Sequence, residues 1–130
     1  MTRAYISIPI KRESQSRIIQ TALERMGIII NNPCDIDGIH GDSTQIPQRV
    51  VNECIGMMDR SDIGILLLDY FGHDCSWELG YMTAKKMPIY GVYVDLEHTS
   101  SESLRNLRQY QQSIAKVFNS VDELVEFLRP

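Results

Sequence analysis

No apolar run in the chain approaches the ~20 residues of a membrane-spanning helix, and Met1 to Tyr5 lacks a signal-peptide core. No membrane partner is expected, and a reducing cytoplasm is the expected setting. The three cysteines, Cys34, Cys54 and Cys75, are odd in number and form no Cys-x-x-Cys pair. That removes a disulfide framework and a zinc knuckle. Basic residues are outnumbered, giving a net charge of −4, so no positive field exists for a nucleic acid polymer, whose binding requires phosphate neutralisation. His40, His73 and His98 have no His-x-x-x-His or similar spacing, so no metal is expected. The chain also lacks a glycine-rich phosphate cradle, an internal repeat, a low-complexity tract and a linker.

What remains is an ordinary globular composition, 43% hydrophobic and 23% charged. A length of 130 residues gives one domain, 1–130, with a core but no second module. Ala4 to Ile8 reads as a short buried strand closed by Pro9. Ile18, Ile19, Ala22, Leu23 and Met26 recur at helical spacing, and Gly27 ends that helix. Further strands are predicted at Ile28–Ile30, Ile63–Leu68, Ile89–Val94 and Ala115–Phe118. Further helices are predicted from about Pro47 to Arg60, near Ser76–Lys86, near Leu104–Gln111 and at Val121–Leu128. Strands alternating with helices predict an α/β fold: a doubly wound, five-stranded parallel sheet of flavodoxin-like order with helices on both faces.

The richest stretch runs from Ile63 to Tyr81. An apolar strand passes into a loop of acids, Gly and Ser, and a helical pattern follows at once. Open α/β sheets build ligand sites at the carboxyl ends of their strands. Asp69 stands where the strand stops, and Glu78 is expected in the first helical turn, where unpaired N–H groups and the dipole favour a carboxylate. Both are candidates for nucleophile or base. Each has a plainer reading, Glu78 as a helix-start acid and Asp69 as a turn residue, while Trp77 and Tyr81 read as core aromatics. The turn from Ser7 to Ser16 carries Lys11, Arg12 and Ser14 near a helix start, a combination suited to phosphate or to simple capping. Asp35 to Asp42 resembles phosphatase and calcium loops but lacks their context, which leaves a solvated or substrate-covering loop. The polar stretch Asn31–Gln45 is long for a compact domain, and such loops are often functional.

Taken in order, these segments resemble the nucleoside 2-deoxyribosyltransferase family, which includes the 2′-deoxynucleoside 5′-phosphate N-hydrolases. The resemblance starts at Ala4-Tyr5-Ile6-Ser7-Ile8 and continues through Asp59 to Ile65. It is sharpest at Ser76-Trp77-Glu78-Leu79-Gly80-Tyr81, similar to the family's Gly-x-Glu-hydrophobic-Gly-aromatic signature. Arg105 to Tyr110 is similar to a segment that reaches into a neighbouring subunit's pocket. The resemblance implies that Glu78 attacks C1′ of a deoxyribosyl group and that Tyr5 holds or polarises it, with Asp69 a further catalytic candidate. It also implies substrate contacts at Ser7, Arg12, Gly72, Asp74, Ser76, Asn106 and Arg108, a homo-oligomer with shared sites, and no cofactor.

Two departures stand out. The transferases carry an acid on the second helix, where this chain has Cys54 next to Glu53. They carry another six residues before the nucleophile, where this chain has Gly72, flanked by Asp69 and Asp74. The leading expectation is transfer of deoxyribose from a 2′-deoxynucleoside to a second nucleobase. The alternatives are hydrolysis of a deoxynucleoside 5′-monophosphate, with Lys11, Arg12, Ser14 and a partner's Arg108 around the phosphate, and a nucleotide-binding domain without catalysis.

Overall fold

Alternation of buried strands with amphipathic helices produces the expected sheet. The computed structural model describes residues 1–40, 47–69, 73–96 and 110–130. Five strands, β1 (Arg3–Ser7), β2 (Ile29–Asn31), β3 (Ile63–Leu67), β4 (Ile89–Val92) and β5 (Lys116–Phe118), lie in the order β2-β1-β3-β4-β5. All neighbours are parallel, with Tyr5 opposite Gly64 and Leu66 opposite Gly91. The connecting helices are α1 (Glu13–Glu24), α2 (Gln48–Asp59), α3 (His73–Ala84) and, at the end of the chain, α4 (Val121–Leu128). The helix expected near Leu104–Gln111 lies almost wholly outside the described residues; Gln111–Ser113 forms a single 3-10 turn.

Period-two alternation sorts the strand residues onto two faces. Ala4, Ile6, Ile65, Leu67 and Val92 pack with Ile19 and Leu23 of α1 and Leu124 of α4. Tyr5, Leu66, Leu68 and Ile89 pack with Met58 of α2 and Cys75, Leu79 and Met82 of α3. Ile19 and Leu23 are four apart, so one stripe of α1 is buried, and Gly27 turns the chain at φ +83°. Gly64 allows α3 close approach, because a Cβ there would lie 2.6 Å from Met82 Sδ.

One boundary changes the chemistry. α3 begins at His73 rather than near Ser76, and Asp74 is the acid of its first turn. Glu78 therefore sits in the second turn, where backbone N–H groups already have intrahelical partners. The helix-start explanation of Glu78 is set aside, and its environment must come from tertiary contacts.

Candidate active site

The strand order reverses direction between β1 and β3, which opens a crevice beyond their carboxyl ends. Tyr5 and Ser7 are alternate residues of β1 and so point to the same face, toward α3. There Tyr5 Oη donates to Glu78 Oε2, and Ser7 Oγ donates to Oε1 at 2.8 Å. Tyr5 and Ser7 are fully buried, and Glu78 is 7% exposed. Both carboxylate oxygens are thus held by hydroxyl donors from a strand more than seventy residues away in sequence.

Burial pushes the Glu78 carboxyl up from 4.5 to about 7, against the hydrogen bonds from Tyr5 and Ser7, which hold it down; the charge of Asp74 adds to the rise. Burial, then the neighbouring Glu78 charge, raises Tyr5 far above an ordinary phenol. Its hydroxyl keeps its proton and acts as donor. Burial and the same carboxylate push the Cys54 thiol up to about 11. The residue of α2 beside Tyr5 is therefore a neutral thiol.

Glu78 borders a cleft of about 240 Å³. Its walls are Ile8 and Ile10 after β1, Pro33 and Ile39 after β2, Val50, Val51 and Cys54 of α2, and Asp74 and Trp77 of α3. The long polar stretch after β2 thus does contribute to the crevice, through Pro33 and Ile39. His40 anchors this stretch, its Nε2 3.0 Å from Glu13 Oε1. Asp74, Trp77, Glu78 and Tyr81 follow a three-four spacing that sets them on one stripe of α3.

Not every expected residue joins this group. Asp69 is 2% exposed, and its oxygens accept from the backbone N–H groups of Val94 and Asp95, both at 2.7 Å. Its carboxylate fastens the end of β3 to the chain leaving β4, and it is not among the residues walling the cleft. Ser76 faces Tyr110, with 3.5 Å between their hydroxyls. Arg12 lies in the 3-10 turn Ile10–Arg12 and does not wall the cleft either. Gly72, Asn106 and Arg108 lie outside the described residues.

Helical spacing suggests a core position for Trp77, yet it is 49% exposed at the cleft. Its place on the Asp74–Glu78 stripe was the available signal. Among the described residues no group of His, Cys, Asp and Glu is arranged to hold a metal, and no helix is long and apolar enough to cross a membrane.

Comparison with known proteins bears on the same arrangement. A 2-deoxyribosyltransferase from the psychrotolerant bacterium Bacillus psychrosaccharolyticus superposes with a TM-score of 0.68 at 14% identity, covering 95% of this chain and 90% of that one. A conserved protein from Enterococcus faecalis V583 gives 0.65 at 19% identity, covering 97% and 96%. The CMP N-glycosidase of Clostridium botulinum gives 0.59 at 15% identity, covering 98% of each. At such identities the likeness is one of fold. No curated protein matches the sequence significantly. The family model for nucleoside 2-deoxyribosyltransferases, in contrast, matches residues 6–121, from β1 to the start of α4. With nearly the whole domain matched, the chain belongs to the nucleoside 2-deoxyribosyltransferase family.

Proposed function

We propose that the chain transfers 2-deoxyribose between nucleobases, with Glu78 as nucleophile. The observation that carries this reading is the Glu78 carboxylate held by Tyr5 and Ser7 at the edge of the β1/β3 cleft. Breaking an N-glycosidic bond develops positive charge on the sugar, which a fixed carboxylate stabilises and then traps. The Glu78 oxygen bonds to C1′, and the base departs with the electron pair of the C1′–N bond. A nitrogen of a second base then attacks C1′ and frees the carboxylate, so configuration is retained. Tyr5 and Ser7 fix the attacking oxygens, which turns much of the alignment requirement into a property of the fold.

Low exposure of Glu78 favours transfer over hydrolysis, since an ester on a 7% exposed carboxylate meets little bulk water. The test is incubation with a deoxynucleoside, with and without a second base. A new nucleoside is the expected product. Free deoxyribose with no dependence on the second base would replace transfer by hydrolysis, and no cleavage at all would leave a binding domain. A 2-fluoro-deoxynucleoside should leave a sugar adduct on Glu78, detectable by mass. The same reading includes a homo-oligomer in which Asn106 and Arg108 of one copy reach the other's site. A fully active monomer in sedimentation would overturn that part.

A further inference from the structure

The described side chains around the cleft are one-sided in their hydrogen-bonding capacity. Ile8, Ile10, Pro33, Ile39, Val50 and Val51 offer none. The Asp74 and Glu78 carboxylates only accept when ionised, and Cys54 contributes a weak thiol. The one stronger donor among the described side chains, the indole N–H of Trp77, lies in the plane of its ring and so is not presented to a base stacked on the ring's face. No Lys, Arg, Asn, Gln, Ser or Thr side chain lines it among the described residues. Among the described side chains, a carbonyl-rich edge of a base stacked on Trp77 meets apolar carbon or carboxylate oxygen and gains no partner. An edge bearing an amino group finds acceptors.

The second feature is Trp77. Its indole stacks on Tyr81, with ring centroids 5.9 Å apart and planes at 23°. The Tyr81 hydroxyl donates to Asp59 Oδ1 at 2.7 Å, and Lys85 pairs with the same oxygen while its ammonium lies 5.7 Å from the Tyr81 ring centroid. The α2–α3 contact thus backs the indole, which nevertheless stays 49% exposed at the cleft. That is a preformed surface for a second flat ring, opposite the aliphatic wall of α2. At about 240 Å³ the cleft is below the ~300–1,000 Å³ of pockets that enclose drug-sized ligands, so it suits a base rather than a whole nucleotide.

We propose that this cleft selects amino-bearing nucleobases, cytosine and adenine, over their oxo counterparts, uracil and hypoxanthine, with Trp77 as the stacking platform and Asp74 as the acceptor of the amino group. The inference rests on the proposed function only in taking the cleft as the base subsite, and it extends to which bases enter. Asp74 lies one helical turn before Glu78 on the same stripe. A base held by Asp74 and stacked on Trp77 therefore lies next to the carboxylate that must reach C1′.

Trp77 is the only tryptophan in the sequence, so quenching of tryptophan fluorescence reports ring stacking without any turnover. The four free bases are titrated into the protein at about pH 8, above the range in which Glu78 takes up its proton. Cytosine and adenine should half-saturate at concentrations about tenfold lower than uracil and hypoxanthine; the exposed position of Asp74 limits the ratio to that order. Asp74→Asn, near-isosteric and exposed, should level the ratio, because a carboxamide also donates. Calorimetry on Trp77→Leu should show cytosine binding weakened about tenfold, with Trp77→Phe retaining most of it. Equal or reversed preference in the natural chain, an unchanged ratio in Asp74→Asn, or no quenching by any base would each overturn the proposal. A chain that discriminates the bases yet cleaves no deoxynucleoside would keep this inference and lose the proposed reaction. A chain that transfers sugar but binds all four bases equally would do the reverse.

Discussion

Two buried acids near the carboxyl edge of one sheet, Asp69 and Glu78, are held in opposite ways. Asp69 accepts from two backbone N–H groups, those of Val94 and Asp95. Glu78 accepts from two side-chain hydroxyls, those of Tyr5 and Ser7. Backbone donors belong to the fold, so an acid that satisfies them serves the fold. Hydroxyls rotate and both donate and accept, so the acid they hold can change its proton or its bond without stranding a buried donor.

The sharpest test of that contrast is turnover. Glu78→Gln should lower kcat by on the order of 10⁴-fold, since an amide is no nucleophile. Asp69→Asn should keep kcat within about tenfold at temperatures where the chain is folded. Comparable losses in steady-state assays would dissolve the distinction. Stability should show the reverse ranking. Asp69→Ala strands two backbone N–H groups at a 2% exposed position and should cost about 2–4 kcal/mol in urea unfolding, whatever the substrate.

A third outcome separates the two acids by pH. Glu78 holds its proton more tightly folded than unfolded, so stability falls as pH rises from 4.5 to about 7 and stays lower above. Glu78→Gln removes that dependence. The variant should gain on the natural chain at pH 8, by on the order of 3 kcal/mol at most, and the gain should vanish near 4.5. A constant difference across the range would mean that Glu78 titrates normally. The smallest effect concerns the hydroxyls. Activity should rise through an acid limb at about 7 as Glu78 ionises. Tyr5→Phe and Ser7→Ala each remove a bond that favours the ionised form, so each should move the limb upward by less than about one pH unit, Tyr5→Phe the further. A downward shift in either pH–rate profile would contradict the hydrogen-bond roles.

Much of this architecture is legible in local pattern. The run Ile63–Leu67, the helical spacing on either side of it and the polar break between them place β3, α2 and α3 without reference to anything distant. Tyr5 and Ser7 share a face by period two, which is readable too. The start of α3 is less so: Gly72, His73 and Asp74 look like loop, yet the helix already runs from His73, and that error put Glu78 a turn too early. The fate of Asp69 was out of reach, because its partners lie 25 and 26 residues on, at a strand end whose alignment only the folded sheet defines. The exposure of Trp77 is hidden from the sequence for a related reason. Its spacing fits a core position, and only the open space between α2 and the N-terminal part of α3 leaves it at the cleft.

The hydroxyl pair on β1 also ties reactivity to the folding history of the chain. Glu78 and its two donors are separated by 71 and 73 residues, and they meet only when the first strand has docked between β2 and β3. No fragment made of the later strands alone can assemble the reactive cluster. An interior strand of this kind belongs to the slowest-exchanging part of a domain, which opens only with global unfolding. The Glu78 cluster is therefore assembled and dismantled together with the whole molecule, and partly folded chains carry the carboxylate without the two hydroxyls that orient it.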